Sequence, residues 1–105
     1  MKMLRAIIRP EKTLEVVESL EKAGFPAVTK IDVLGRGKQQ GVQVGSTVYD
    51  ELAKTMLMVV VKDEDAAKAV EAIARAAKTG NHGDGKIFVS PVEEAYTIRT
   101  GEKGL

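Results

Sequence analysis

The sequence predicts a single α+β domain in which the order β-α-β occurs twice, two helices packing on a four-stranded sheet. Two observations predict it. The halves echo each other: Leu4, Ile7, Ile8, Arg9 and Glu11 correspond to Leu57, Val60, Val61, Lys62 and Glu64 at one constant offset, and in each half a β-branched run leads into a helical one. The length, 105 residues, is enough for one hydrophobic core and too little for two, so residues 1–105 form one domain.

Met3 to Arg9 is a short aliphatic run that Pro10 stops, as a strand followed by the first turn of a helix requires. Leu14, Val16, Val17, Leu20 and Ala23 then recur at helical spacing, and Gly24 and Pro26 end the helix. Ala27 to Leu34 reads as the second strand and Thr55 to Lys62 as the third. Asp63 is expected to cap a second helix, with Glu64 and Asp65 in its first turn and Arg75 and Lys78 in its last. Its apolar side is mostly alanine, which allows close packing, and Gly80 is expected to end it. Lys86 to Ser90 is the fourth strand, and Ala95 to Thr100 is expected as a short extra strand after Pro91. This order is the ferredoxin-like fold.

Between the second and third strands, Gly35 to Lys54 carries four glycines and no sustained period, a long loop of about residues 36–54. Loops of that length in a small domain are functional or disordered. In Met56 to Val61 both alternating sets are apolar, so this strand is covered on both faces. Two helices cover only one face of the sheet. The other predicts a second copy of the chain, and hence an oligomer.

Composition narrows the function classes. A formal net charge of +1 drives the protein onto neither nucleic acid nor an acidic membrane, and the absence of cysteine excludes disulfides and thiolate metal sites. The start lacks the apolar core of a signal peptide and no apolar run reaches membrane-spanning length, so the expectation is a cytoplasmic domain without membrane insertion. RNA-recognition domains share this strand order but stack bases on aromatic residues in the central strands. Here those strands read MLRAIIR and TMLMVVV, with no aromatic residue, which argues against nucleic acid.

The chemistry concentrates in TGNHGDGKIFV, Thr79 to Val89. Gly80 to Lys86 fits the G-x-x-x-x-G-K spacing of a P-loop, but a helix enters and a strand leaves, and Ile87 stands where Ser or Thr is needed. A Walker motif is rejected. The anion-binding potential survives, because glycines at positive φ let backbone N–H groups converge, Lys86 supplies charge, and Asp84 can hold the turn. No nucleophile–base pair accompanies it, so no catalytic residue is assigned. His82 receives no role, Met56 and Met58 read as core or interface, and the acidic run at residues 63–65 is explained by the helix start.

TGNHGDGKIFV, with IRTGE at Ile98 to Glu102, IIRP at Ile7 to Pro10 and TKIDVLGRGKQQG at Thr29 to Gly41, resembles the PII signal-transduction family over nearly the whole chain. The resemblance implies a homotrimer that binds ATP or ADP in clefts between subunits and senses 2-oxoglutarate. It assigns Thr29 and Val60 to the adenine pocket, and Gly35, Gly37 and Lys38 to the approach to the nucleotide. Gly83, Asp84, Gly85 and Lys86 become the phosphate loop, and Arg99 a further phosphate ligand. Gln39 is implied in magnesium and 2-oxo acid coordination, and Lys54 in pairing with the distal carboxylate.

Two departures accompany the resemblance. Thr97 replaces one arginine of the family's usual pair, and the shortened loop lacks the tyrosine segment that is uridylylated, leaving Tyr49 and Ser46 for other modifications. The short loop and SPVEEAYTIRTGEKG resemble the branch encoded beside nitrogenase genes. That branch implies a regulator that acts with a paralogous PII subunit and inhibits dinitrogenase, ATP plus 2-oxoglutarate relieving the inhibition. The alternative is a general PII regulator of an ammonium channel or of glutamine synthetase.

Overall fold

A computed structural model describes residues 1–36, 42–49 and 51–105. Strand β1 (Lys2–Ile8) leads into helix α1 (Thr13–Lys22), and β2 (Thr29–Gly35) follows. A hairpin of β3 (Val42–Val44) and β4 (Thr47–Tyr49) precedes β5 (Leu52–Val61), helix α2 (Ala66–Ala77) and β6 (Gly85–Pro91). The main sheet is antiparallel in the order β2-β5-β1-β6, the predicted ferredoxin-like arrangement.

Alternation along the central strands builds the core. Leu4, Ala6 and Ile8 of β1 and Leu57, Val59 and Val61 of β5 are buried on the helix face. They meet Val16 and Leu20 of α1 and Ala69, Ala72, Ile73 and Ala77 of α2. The alanines keep the helices close enough for the Ser19 hydroxyl to donate to the carbonyl of Ala72 at 2.8 Å. Gly24, at φ 99°, ends α1 as expected, with the amide of Phe25 returning to the Leu20 carbonyl and that of Gly24 to Glu21.

The opposite face is uncovered in the single chain. Register places Ile31, Met56, Ile7 and Lys86 in one row across it, and Thr29, Met58, Arg5 and Phe88 in the next. Met3, Ile7, Met56, Met58 and Val60 are only partly buried there, and Phe88 is half exposed. This is the strand the sequence marked as apolar on both sides.

Four expectations need correction. Asp63 does not cap a helix: it begins a single 3-10 turn, Asp63–Asp65, and makes no capping hydrogen bond. Lys2 pairs with Val61, which brings the N-terminus beside Asp63, and the Met1 ammonium lies 2.9 Å from its carboxylate. Helix α2 stops at Ala77, before Gly80, because Lys78 turns extended and the next two amides find another acceptor, described below. The 35–54 stretch is not structureless: β5 begins at Leu52, drawn into the sheet by pairing with Gly35, and Val42 to Tyr49 forms the hairpin. Gly45 has φ 61° at the first central position of its two-residue turn, as hairpin turns of this length favour. The extra C-terminal strand reduces to one bridge, Tyr96 with Lys103, closed by a turn in which Gly101 N–H donates to the Thr97 carbonyl at 2.7 Å.

Candidate functional site

All four strands of the main sheet bring residues to one of its ends. Gly35 closes β2, Lys54 lies in the first turn of pairing of β5, Arg9 follows β1, and the Thr79–Lys86 loop opens β6. Two glycines make the loop possible. Gly83 (φ 97°) has the Arg9 guanidinium so close that a Cβ would lie 3.1 Å from Nη2, and Gly85 (φ 105°) passes so near Ile7 that a Cβ would sit 1.7 Å from its carbonyl oxygen.

Asp84 organises the turn from within. Its carboxylate accepts the Thr79 amide at 2.9 Å, the Gly80 amide at 2.9 Å and the Thr79 hydroxyl, and Arg9 Nε reaches it at 3.3 Å. These donors, the Thr79 hydroxyl foremost, then the two amides and Arg9, hold the Asp84 carboxyl well below the usual carboxylate range. Asp84 is therefore spent on the loop rather than offered to a ligand. The amide of Asn81 turns to the Thr79 hydroxyl oxygen at 3.2 Å, whereas the amides of His82 and Gly83 meet no other described residue.

Three cations surround this backbone. Arg9 Nη2 donates to the His82 carbonyl at 2.7 Å, and Lys54 Nζ donates to the Gly83 carbonyl. Burial lowers the Lys54 pKa, helped by the nearby Arg9 charge and opposed by Glu11 and Asp84. Lys86 is exposed and has no hydrogen bond or ion pair among the described residues. With Asp84 neutralised by Arg9, Lys86 and free amides face solvent around one glycine turn, and Lys54 is held against it by the Gly83 carbonyl. That suits a polyanion of phosphate type. An apolar cleft of about 340 Å³, walled by Ile8, Ile73, Ala77 and Ile87, adjoins the loop on the helix side. A larger groove of about 570 Å³ between α1 and α2 is lined by Glu15, Glu18, Lys22, Lys68, Glu71 and Arg75, a mixed set without an anion-selective sign.

The sequence-derived site residues fall into two groups. Gly35, Lys54, Gly83, Asp84, Gly85 and Lys86 come together at this end. Thr29 pairs with Met58 in the row of Arg5 and Phe88, three residues or about 10 Å along the strands from the row of Gly85. Val60 lies in the row of Met3 and Ser90, five residues or about 17 Å from the Gly85 row toward the far end of the sheet. Arg99 belongs to the C-terminal turn, which leaves the sheet at that far end, where Val92 N–H donates to the Met1 carbonyl. Gly37, Lys38 and Gln39 lie outside the described residues. No cluster of three metal-ligating side chains occurs among the described residues, and the magnesium ligand implied at Gln39 is not among them.

Arg9 and Thr79 are the residues the sequence reading passed over. The signal for Arg9 was its place after the strand, directly before Pro10. For Thr79 it was a hydroxyl residue followed by Gly80, with an aspartate five positions on.

The family model for nitrogen regulatory protein P-II matches residues 1–102. A Methanothermobacter marburgensis protein named nitrogen fixation nifHD region GlnB-like protein 1 is 60% identical over 105 residues, all of both chains. A Methanosarcina barkeri nifHD2-region GlnB-like protein 1 is 59% identical over the same full span. Methanococcus maripaludis has proteins of both numbered kinds: a glnB-like protein 1, 56% identical over the full span, and a glnB-like protein 2, 45% identical over 117 residues, 99% of this chain and 97% of that one.

Proposed function

Since the chain belongs to the nitrogen regulatory protein P-II family, whose members are non-enzymatic regulators, we propose that it senses ATP or ADP together with 2-oxoglutarate and passes that state to nitrogenase by protein contact. The link to nitrogen fixation rests on the full-length similarity to nifHD-region proteins of the first kind. The observation that carries the nucleotide reading is the phosphate-suited turn with Lys54 and Lys86 beside it.

The separation of Thr29, Val60 and Arg99 from the loop along the sheet supports a composite site. One copy presents Gly35, Lys54 and the Gly83–Lys86 loop, and its neighbour presents Thr29, Val60 and Arg99. The uncovered apolar row of Ile31, Met56 and Ile7 supports burial of that face in a homotrimer. The two numbered kinds in one organism support a paralogous subunit as an alternative neighbour.

2-Oxoglutarate offers two carboxylates and a keto oxygen, the hard oxygen donors magnesium prefers. Gln39 adds an amide oxygen and Lys54 a point charge for the distal carboxylate. To serve, Lys54 must release the Gly83 carbonyl. Its change of partner links the acid site to the phosphate loop, so that the acid selects the form in which Lys54 has left that carbonyl. The target is dinitrogenase, inhibited when fixed nitrogen is plentiful and released by ATP plus 2-oxoglutarate.

Calorimetric titration with MgATP, followed by 2-oxoglutarate into the loaded protein, tests the sensor. Uptake of the acid only after MgATP supports it; no heat from either overturns it. Capture of dinitrogenase from nitrogen-fixing cells in the absence of 2-oxoglutarate tests the target, and recovery of an ammonium channel alone would overturn that part.

A further inference from the structure

We propose that Arg9 is the positioning residue of the nucleotide site: its guanidinium braces the Thr79–Gly85 turn in its anion-accepting form and acts on the ligand only through that turn. The inference rests on the nucleotide reading above and assigns the loop's shape to a residue outside it.

The brace has two anchor points, one on either side of Gly83. Nη2 donates to the His82 carbonyl at 2.7 Å and Nε donates to the Asp84 carboxylate at 3.3 Å. The planar fork of a guanidinium spans such a pair, whereas a lysine ammonium is a single point. Gly83 lies against the guanidinium itself, since a Cβ there would meet Nη2 at 3.1 Å and Cζ at 3.4 Å. That contact gives Gly83 a packing reason beyond its positive φ.

The chain of contacts continues through Asp84. The carboxylate that Arg9 holds also takes the amides of Thr79 and Gly80, so one side chain fixes both the entry and the far side of the turn. Arg9 is itself well supported. It follows β1 directly with extended backbone, and its carbonyl accepts the Lys12 amide at 3.0 Å in the turn that Pro10 starts.

The division of labour follows from exposure and partners. The Arg9 side chain is only 25% exposed, and two of its donor nitrogens are engaged within the protein, whereas Lys86 is exposed and unpartnered among the described residues. Lys86 and Lys54 supply charge to the ligand. Arg9 supplies shape. A turn holding Gly80, Gly83 and Gly85 at positive φ loses much backbone freedom when it orders. With the brace, that ordering is complete before ligand arrives, which raises affinity.

The test compares Arg9→Lys and Arg9→Gln with the wild-type oligomer by MgATP calorimetry and by amide hydrogen exchange of the ligand-free protein. Lys keeps the charge and loses the fork. The expected result is MgATP binding at least about tenfold weaker in both variants, the effect of losing charge-assisted hydrogen bonds. Faster exchange at the Thr79 and Gly80 amides should accompany it, with unchanged exchange in β1 and β5. Asp84→Asn should produce the same loop exchange, and its effect on affinity should not add to that of Arg9→Gln. Wild-type affinity in Arg9→Lys would overturn the brace, and so would faster loop exchange without weaker binding. Those outcomes leave the nucleotide reading standing. Wild-type protein that takes up no MgATP would overturn both.

Discussion

Gly85→Ala adds one methyl group to the edge strand and is expected to cost about 2–4 kcal/mol of stability. Two terms make up the figure. At φ 105° an L-residue sits in a strained region, worth about 1–3 kcal/mol. The new Cβ would also lie 1.7 Å from the Ile7 carbonyl oxygen and 2.8 Å from its carbon. It must retreat by roughly 1.5 Å to reach an ordinary carbon–oxygen contact of about 3.3 Å. Gly85 pairs with Ile8 at the last rung between β1 and β6, so this retreat opens the end of the ladder, a loss of about 1 kcal/mol per backbone hydrogen bond. Gly80→Ala is the control: φ is 90° but nothing lies within 4 Å, so only the strain term applies. Urea denaturation of both variants at one fixed protein concentration, with equal m-values, reads the difference directly. Gly85→Ala should be the less stable by about 1 kcal/mol or more. Equality within about 0.5 kcal/mol, the ordinary range of neutral surface changes, would refute the claim that the β6 backbone is pressed against β1.

The other predictions concern charge and assembly. The Asp84 pKa is depressed in the folded protein, so its stabilising contribution is complete above the unfolded value of about 3.9 and is lost as pH falls through the folded value. The stability gap between wild type and Asp84→Asn should be flat from about pH 8 to pH 5 and narrow only below about pH 4; narrowing near neutral pH would contradict the assignment. Lys86→Ala removes an exposed, unpartnered charge, so thermal stability should hold while MgATP affinity falls about tenfold by calorimetry; unchanged affinity removes Lys86 from the site. Lys54→Ala should lose 2-oxoglutarate binding more completely than MgATP binding, and normal uptake of both ligands would show the carry-over to that position to be wrong. Met56→Asp puts a carboxylate in the middle of the uncovered apolar row, at a cost of several kcal/mol per copy if that face is buried. Light scattering should find monomers, and an intact trimer would refute burial of the face.

The sequence carried the architecture because its signals were local and periodic. The doubled strand-to-helix pattern, the Gly24 stop and the two-sided apolar run at Met56–Val61 each express one element's own packing. The errors came where a distant partner decided the outcome. Asp63 has the residue type of a cap, yet the N-terminus, brought to it by the pairing of β1 with β5, occupies its carboxylate. Gly80 looked like the helix stop, but Asp84 captures the amides that continuing α2 would have used. Leu52 to Lys54 joined the sheet because β2 was there to pair with them. The glycine loop was legible from composition as a tight turn with a lysine beside it. Its brace was not, because Arg9 and Asp84 stand 75 positions apart and only the fold makes them neighbours.

The placement of Val60 and Arg99 toward the far end of the sheet from the loop gives each chain a head and a tail. In the proposed ring of three, every cleft joins one chain's head to the next chain's tail. A ring of identical chains has three equal clefts. Exchanging one chain for a paralogue leaves a single unchanged cleft and creates two hybrids that are not equivalent, one taking its loop from the paralogue and the other its Arg99 counterpart. Mixed assembly could thus grade the response of one ring to nucleotide in three steps without altering a residue of either sequence.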